Sequence, residues 1–244
     1  MKALLCALAV GLVVTVPVLG DAMLNPQRVD PNGWDVNVSS PYIVADDWMC
    51  TQTGTVDGVK FWISFKQDQV DAITSITLKI FSDKPANPST GAPSQPKTQL
   101  WAGTLSPPQF TVSSAVGPNA QGWYQPYDQQ WWYPDHNYYY EVTANNLPSA
   151  YTQQSGTIYW LYVQVALAGG GGIKKVGWKT SLDHWNDNAV FWDLSLGTWR
   201  AISDPRPDHA GQPVDMAFVI IPEPATLALM GLGACVILLR RRRR

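Results

Sequence analysis

The sequence predicts an all-β protein, an antiparallel β-sandwich of jelly-roll-like type, and three observations carry that expectation. Apolar and β-branched residues recur in short runs of strand length. The chain's 19 prolines and 19 glycines punctuate those runs at the spacing of a sandwich. Glutamate, which favours helix interiors, occurs twice in the whole chain against 17 aspartates, which favour turns and caps.

The clearest strand is 73–82. Ile76, Leu78 and Ile80 alternate with Ser75, Thr77 and Lys79, as a strand with one buried face requires. Similar runs occupy 59–65, 98–105, 110–115, 138–143, 157–167, 176–180, 190–194, 198–202 and 214–221, about ten strands in all. Residues 84–97 are rich in Pro, Ser, Asn and Gly and read as a surface loop. Gly169 to Gly172 reads as a flexible hairpin, because no Lys-Ser/Thr pair and helix follow to cradle a phosphate.

The ends have a different grammar. Lys2, an apolar run from Ala3 to Leu19 and small residues at Gly20 and Ala22 form a signal helix with a signal peptidase site near Ala22, Gly20 being the second candidate. At the other end stand Pro222, Glu223 and Pro224, an apolar stretch from Ala225 to Leu239, and five arginines, Arg240, Arg241, Arg242, Arg243 and Arg244. As a helix the apolar stretch is about 22 Å long, short of the roughly 30 Å hydrocarbon core. The arginines would act as a membrane stop on the cytoplasmic side. Such a segment pauses in the inner membrane more readily than it anchors there. The expected organisation is a signal peptide at 1–22, a leader or loop at 23–42, the β-sandwich at 43–221 and a tail at 222–244.

The ordered string of Pro-Glu-Pro, apolar helix and arginine cluster resembles the PEP-CTERM sorting signal of Gram-negative, biofilm-forming bacteria. That resemblance implies cleavage near the Pro-Glu-Pro by an exosortase-type membrane peptidase, and release or transfer to the cell surface or extracellular matrix. A plain, permanently retained membrane anchor is the competing reading. Three further strings, 45–51, 59–64 and 177–192, resemble an uncharacterised domain of exported proteins from planctomycete-like bacteria. This second resemblance implies fold and context without an activity.

Between residues 23 and 224 there are 8 Lys and 3 Arg against 16 Asp and 2 Glu, so 11 − 18 gives a net charge of −7. Such a domain repels phosphate backbones, which argues against a nucleic-acid partner. Cys50 is the one cysteine of that region; it reads as a buried small hydrophobe, and a lone thiol forms no internal disulfide.

All 12 tryptophans lie in the same region. Trp123, Tyr124, Trp131, Trp132 and Tyr133 form the densest aromatic run, set among Gln and Asp. Flat rings in such a setting stack on sugars, so an exopolysaccharide is a candidate ligand; equally, the rings could belong to the core. Asp183 and Asp187, with Asn186 and Asn188 and with Asp46 and Asp47 elsewhere, offer oxygen ligands for calcium. Ordinary turn chemistry accounts for the same residues.

Catalytic motifs are missing. His136, His184 and His209 show no zinc spacing, no Gly-x-Ser-x-Gly elbow occurs, and Glu141 is the one glutamate inside the expected domain. His184 beside Asp183 reads as a loop residue. The expectation is therefore an exported, non-catalytic envelope or matrix protein without a resident cofactor. The alternative is a jelly-roll hydrolase or lyase acting on polysaccharide, with aspartates as its carboxylate pair.

Overall fold

The computed structural model describes residues 23, 26–149, 151–169, 172 and 174–223. The signal segment with Gly20 and Ala22, and the tail from Pro224 through Arg240 to Arg244, lie outside the described residues, as do both expected terminal helices. Among the described residues no helix is long and apolar enough to cross a membrane, and the helical pieces are two 3₁₀ turns, Lys66–Asp68 and Pro207–His209.

Among the described residues fifteen strands form two sheets. In the first half of the chain they are β1 (Trp34–Asn37), β2 (Val44–Met49), β3 (Gly54–Phe65), β4 (Ile73–Lys84), β5 (Gln95–Leu105), β6 (Phe110–Val112) and β7 (Gln121–Gln125). Then follow β8 (Gln130–His136), β9 (Tyr139–Asn145), β10 (Tyr151–Gln153), β11 (Ile158–Leu167), β12 (Val176–Lys179), β13 (Val190–Asp193), β14 (Thr198–Ala201) and β15 (Phe218–Pro222). The larger sheet runs β6-β9-β3-β12-β1-β7-β8, with β10 and β15 also paired to β3. The smaller runs β14-β13-β2-β11-β4-β5.

One hydrophobic cluster draws on both sheets, which makes the fold sandwich-like. Trp48 of β2 meets Phe218 of β15 at a ring separation of 6.1 Å, and Trp178 of β12 meets Phe61 of β3 at 6.2 Å. Ile76, Leu78 and Ile80 are buried in that cluster, on the parity that the alternation assigned to the core. β11 is buried on both faces: Leu161 and Val163 enter the main core, while Trp160 and Tyr162 join a smaller cluster with Ala45 and Val190.

Three details depart from the sequence reading. The sheets are not wholly antiparallel, because β1 pairs with β7 in parallel (Trp34 opposite Gly122, Val36 opposite Tyr124). The 23–42 stretch, expected as leader, places β1 inside the larger sheet between β12 and β7; all four of its residues are buried, so both faces are covered and no alternation betrays it. The expected loop at 84–97 is shorter, since β4 and β5 stay paired as far as Lys84 opposite Gln95. Proline lacks an N–H for the ladder and is tolerated on an edge, and two of the strand prolines follow that rule: Pro96 lies on β5 and Pro134 on β8, each the outermost strand of its sheet.

Candidate functional site

The aromatic run at 123–133 is a hairpin. β7 and β8 pair with Trp123 opposite Trp132 and Tyr124 opposite Trp131, so alternation sends the five rings to opposite faces. Trp123 and Trp132 share the face turned away from the core. Trp123 is fully buried there, its ring near Gly177 and beside His136, with Lys66 Nζ 5.7 Å from its centroid. Trp132 carries the same ammonium 3.4 Å over its ring. Trp123, fully buried, offers no face to a sugar, which corrects the expectation for it, while half-buried Trp132 has a cation–π role.

Tyr124, Trp131 and Tyr133 lie on the other parity. Tyr124 is half-buried edge-on to Trp34, at 5.6 Å and 89°. Trp131 is also edge-on to Trp34, at 5.9 Å, and its ring covers Gly122. Tyr133 is 62% exposed, and its ring is parallel to that of Trp131, at 6.3 Å and 5°. Two side chains at positions i and i+2 of an edge strand thus form a platform of two stacked, parallel rings.

This platform lines a cleft of about 260 Å³, together with Asn32, Trp34, Arg206 and Asp208. A smaller pocket of about 100 Å³ adjoins it, sharing Trp34 and Arg206, and reaches Thr180, Asp183, His184 and Asp215. The loop that carries Arg206 is stiffened locally. The Asp204 carboxylate accepts from the Arg206 backbone N–H at 2.9 Å and from its guanidinium at 2.6–3.0 Å. A third cavity of about 310 Å³, beside Phe110, Thr143 and Asn145, is larger but has no titratable lining.

The loop at 181–188 bounds the smaller pocket and is pinned to a buried acidic group. His184 Nδ1 lies 2.8 Å from Asp215 Oδ1, the Trp185 amide donates to Asp215 Oδ2 at 2.6 Å, and Asn186 donates to Asp47 Oδ2 at 2.6 Å. Gln27 adds a bond to the Asp47 carbonyl. Asp46, on the same strand, accepts from the Met216 amide at 2.6 Å. Burial, and then the neighbouring Asp215 and Asp47 carboxyls, hold Asp46 well above the usual range. Burial pushes Asp47 up to about 8 and Asp215 up to about 6, against the hydrogen bonds each accepts.

That arrangement does not gather the expected calcium ligands. Asp183 is engaged by Arg28, whose Nε and Nη2 donate to its two oxygens at 2.8 and 2.6 Å, while Asp187 accepts from Asn186. Among the described residues no three His, Cys, Asp or Glu side chains are placed to hold a metal. Asp46 and Asp47, offered by the sequence as further oxygen ligands, sit fully buried within β2. Sequence reasoning also missed Asp215 as the partner of His184. The two are 31 residues apart, a separation no local motif encodes.

A second buried polar assembly lies on the outer face of the larger sheet. His136 is 2.9 Å from Asp35 and 3.1 Å from Asp135. Burial opposes its charge, yet the two carboxylates prevail and raise it to about 9. Lys179, donating to Gln121, is depressed by burial and partly held up by Asp35.

At the C-terminus, Pro222 closes β15 and the Glu223 amide donates to the Thr55 carbonyl at 2.9 Å. The first two residues of the Pro-Glu-Pro string therefore belong to the sheet edge; Pro224 lies outside the described residues.

A two-sheet β domain that runs straight into such a tail defines an exported protein sorted by an exosortase: residues 221–244 match the PEP-CTERM protein-sorting motif, which implies processing by that membrane protease and sorting to the cell surface. Residues 23–221 match the family described as Domain of unknown function (DUF7901), and the chain belongs to that family. No curated protein and no solved structure matches the chain.

Proposed function

We propose that the domain is a non-catalytic polysaccharide-binding module, displayed at the cell surface or in the extracellular matrix after its tail has paused in the inner membrane. The observation that carries this reading is the parallel pair of Trp131 and Tyr133 along one wall of the cleft. The exposed Tyr133 ring, stacked in parallel with Trp131, presents an apolar face matched to the C–H face of a sugar, and Asn32 and Asp208 line the same cleft with hydrogen-bonding groups. A jelly-roll connectivity and a planctomycete-type origin belong to the same proposal.

The test is retention of the full chain, in mild detergent, on gels containing defined polysaccharides. Tyr133→Ala should abolish retention while leaving the melting temperature nearly unchanged. Equal retention of the variant would refute the reading. Intact-mass measurement of protein from the native host addresses the tail: loss of the segment beyond Pro224 supports sorting, and its persistence in membranes favours a permanent anchor.

One observation favours a second reading, a polysaccharide-cleaving enzyme. His184 is 39% exposed in its side chain and backed by the fully buried Asp215 in the adjoining pocket, as a general base would be. Release of reducing ends from a retained polysaccharide, lost in His184→Gln, would select it.

A further inference from the structure

The glycan reading leaves the charge of the cleft unused. Asp30, Asp183, Asp204, Asp208 and Asp215 line its two lobes, against one guanidinium, Arg206, and one imidazole, His184. The guanidinium is already committed to a carboxylate: its Nε and Nη2 both donate to Asp204, so its charge is matched before any ligand arrives. Asp183 is neutralised by Arg28, and Asp215 is held from below by His184, the Trp185 amide and Gln27.

Two carboxylates remain, Asp208 in the lobe that contains Tyr133 and Asp30 in the smaller, adjoining one. Asp30 accepts from the Asn32 amide at 2.9 Å and helps hold the Arg206 guanidinium charged. Asp208 is exposed beside Pro207, on the wall that closes the lobe containing Tyr133. An aromatic platform flanked by carboxylates, with its only guanidinium already paired, repels a uronate and attracts an ammonium group.

Resting on the glycan reading, we propose that the cleft takes a polysaccharide bearing protonated amino groups, a partly deacetylated hexosamine polymer. Its sugar face stacks on Trp131 and Tyr133, and its ammonium groups meet Asp208 and Asp30. No covalent step is involved. The ionic contribution is solvent-exposed and therefore salt-sensitive, whereas the stacking is not.

The test uses the full chain in mild detergent with three probes of equal length: chitosan oligosaccharides, their fully N-acetylated counterparts and alginate oligosaccharides. At low salt the chitosan oligomers should bind about tenfold more tightly than the N-acetylated ones, a difference of roughly 1.4 kcal/mol, and alginate should not bind. Asp208→Asn should erase the preference and leave the weaker binding intact, while Tyr133→Ala removes both. Asp57→Asn, which deletes the same charge outside the cleft, should change nothing. Equal losses in Asp208→Asn and Asp57→Asn would reduce the effect to general charge attraction and overturn the proposal, as would tighter binding of alginate. Binding of N-acetylated and deacetylated oligomers alike, still abolished by Tyr133→Ala, would overturn the charge preference and leave the platform standing. If no oligomer binds and Tyr133→Ala is without effect, the glycan reading itself falls.

Discussion

Trp131 occupies the space that a side chain at Gly122 would need. A methyl group built on Gly122 would collide with the indole, so the glycine is what lets the ring lie flat on the strand. The same device recurs on the opposite face, where Trp123 lies close to Gly177. Gly122→Ala should tilt the Trp131 ring and cost about 1–3 kcal/mol by overpacking. Near-ultraviolet circular dichroism together with chemical denaturation checks it; an unchanged aromatic signal would show that the indole rests elsewhere.

Trp123 and Tyr133, on opposite faces of the hairpin, should separate cleanly. Trp123→Ala opens a cavity in a fully buried site and should cost about 3–5 kcal/mol. Tyr133→Ala, at a ring that is mostly exposed, should stay within about 0.5 kcal/mol. Urea titrations of both variants provide the comparison, and a reversed order would reassign the faces of β8.

Stability should fall as pH rises. In the fold Asp47, at about 8, and Asp215, at about 6, keep protons that the unfolded chain releases near its ordinary value of about 4. Their contribution is complete below about pH 4 and is lost as pH climbs through 6 and 8, and Asp46 acts in the same direction. His136, raised to about 9, holds its proton beyond the ordinary value of about 6.5, so its contribution is complete below that and disappears as pH passes 9. Urea midpoints measured from pH 5 to pH 9 should decline steadily. A midpoint that rises over this interval would mean that the buried carboxyls are ionised and compensated.

A chain begun at Ile43 should not fold. It would lack β1, whose removal leaves β12 and β7 without their shared neighbour, and also Gln27, which ties Asp47 to Asp215. Far-ultraviolet circular dichroism of the purified fragment would display this as lost β signal. A cooperative melt of that fragment would show that the stretch is dispensable after all.

Part of the fold was legible because strands such as β4 have one wet face. Ile76, Leu78 and Ile80 announce β4 by alternation alone. Trp34 to Asn37 do not: a strand buried on both sides carries no period, this one is too short for the long apolar run that marks β11, and its neighbours Pro31 and Asn32 look like loop. The aromatic hairpin misled for a related reason. Adjacent letters such as Trp131 and Trp132 appear as one patch in a sequence but leave a strand in opposite directions. A usable signal was present: the dipeptide Gly-Trp occurs at 33–34, 122–123 and 177–178, and the tryptophans it contributes lie on or beside the neighbouring strands β1, β7 and β12. Asp46 and Asp47 looked like ligands because acidic pairs are rarely buried in strands. The pairing of His184 with Asp215 depends on tertiary placement, which no spacing rule reaches.

The bond from the Glu223 amide to Thr55 gives the domain no slack at its exit point. Any surface or polymer that holds the chain beyond Glu223 pulls on β15. Tension then enters the core through the ladder between β15 and β3 and reaches Ile220 and Phe218, both fully buried. Pulled along its length, β15 resists in shear with several bonds loaded together; pulled sideways, it unzips one bond at a time. The strength of the attachment is therefore set by the direction of the force, and the last strand of the fold is also its mechanical fuse.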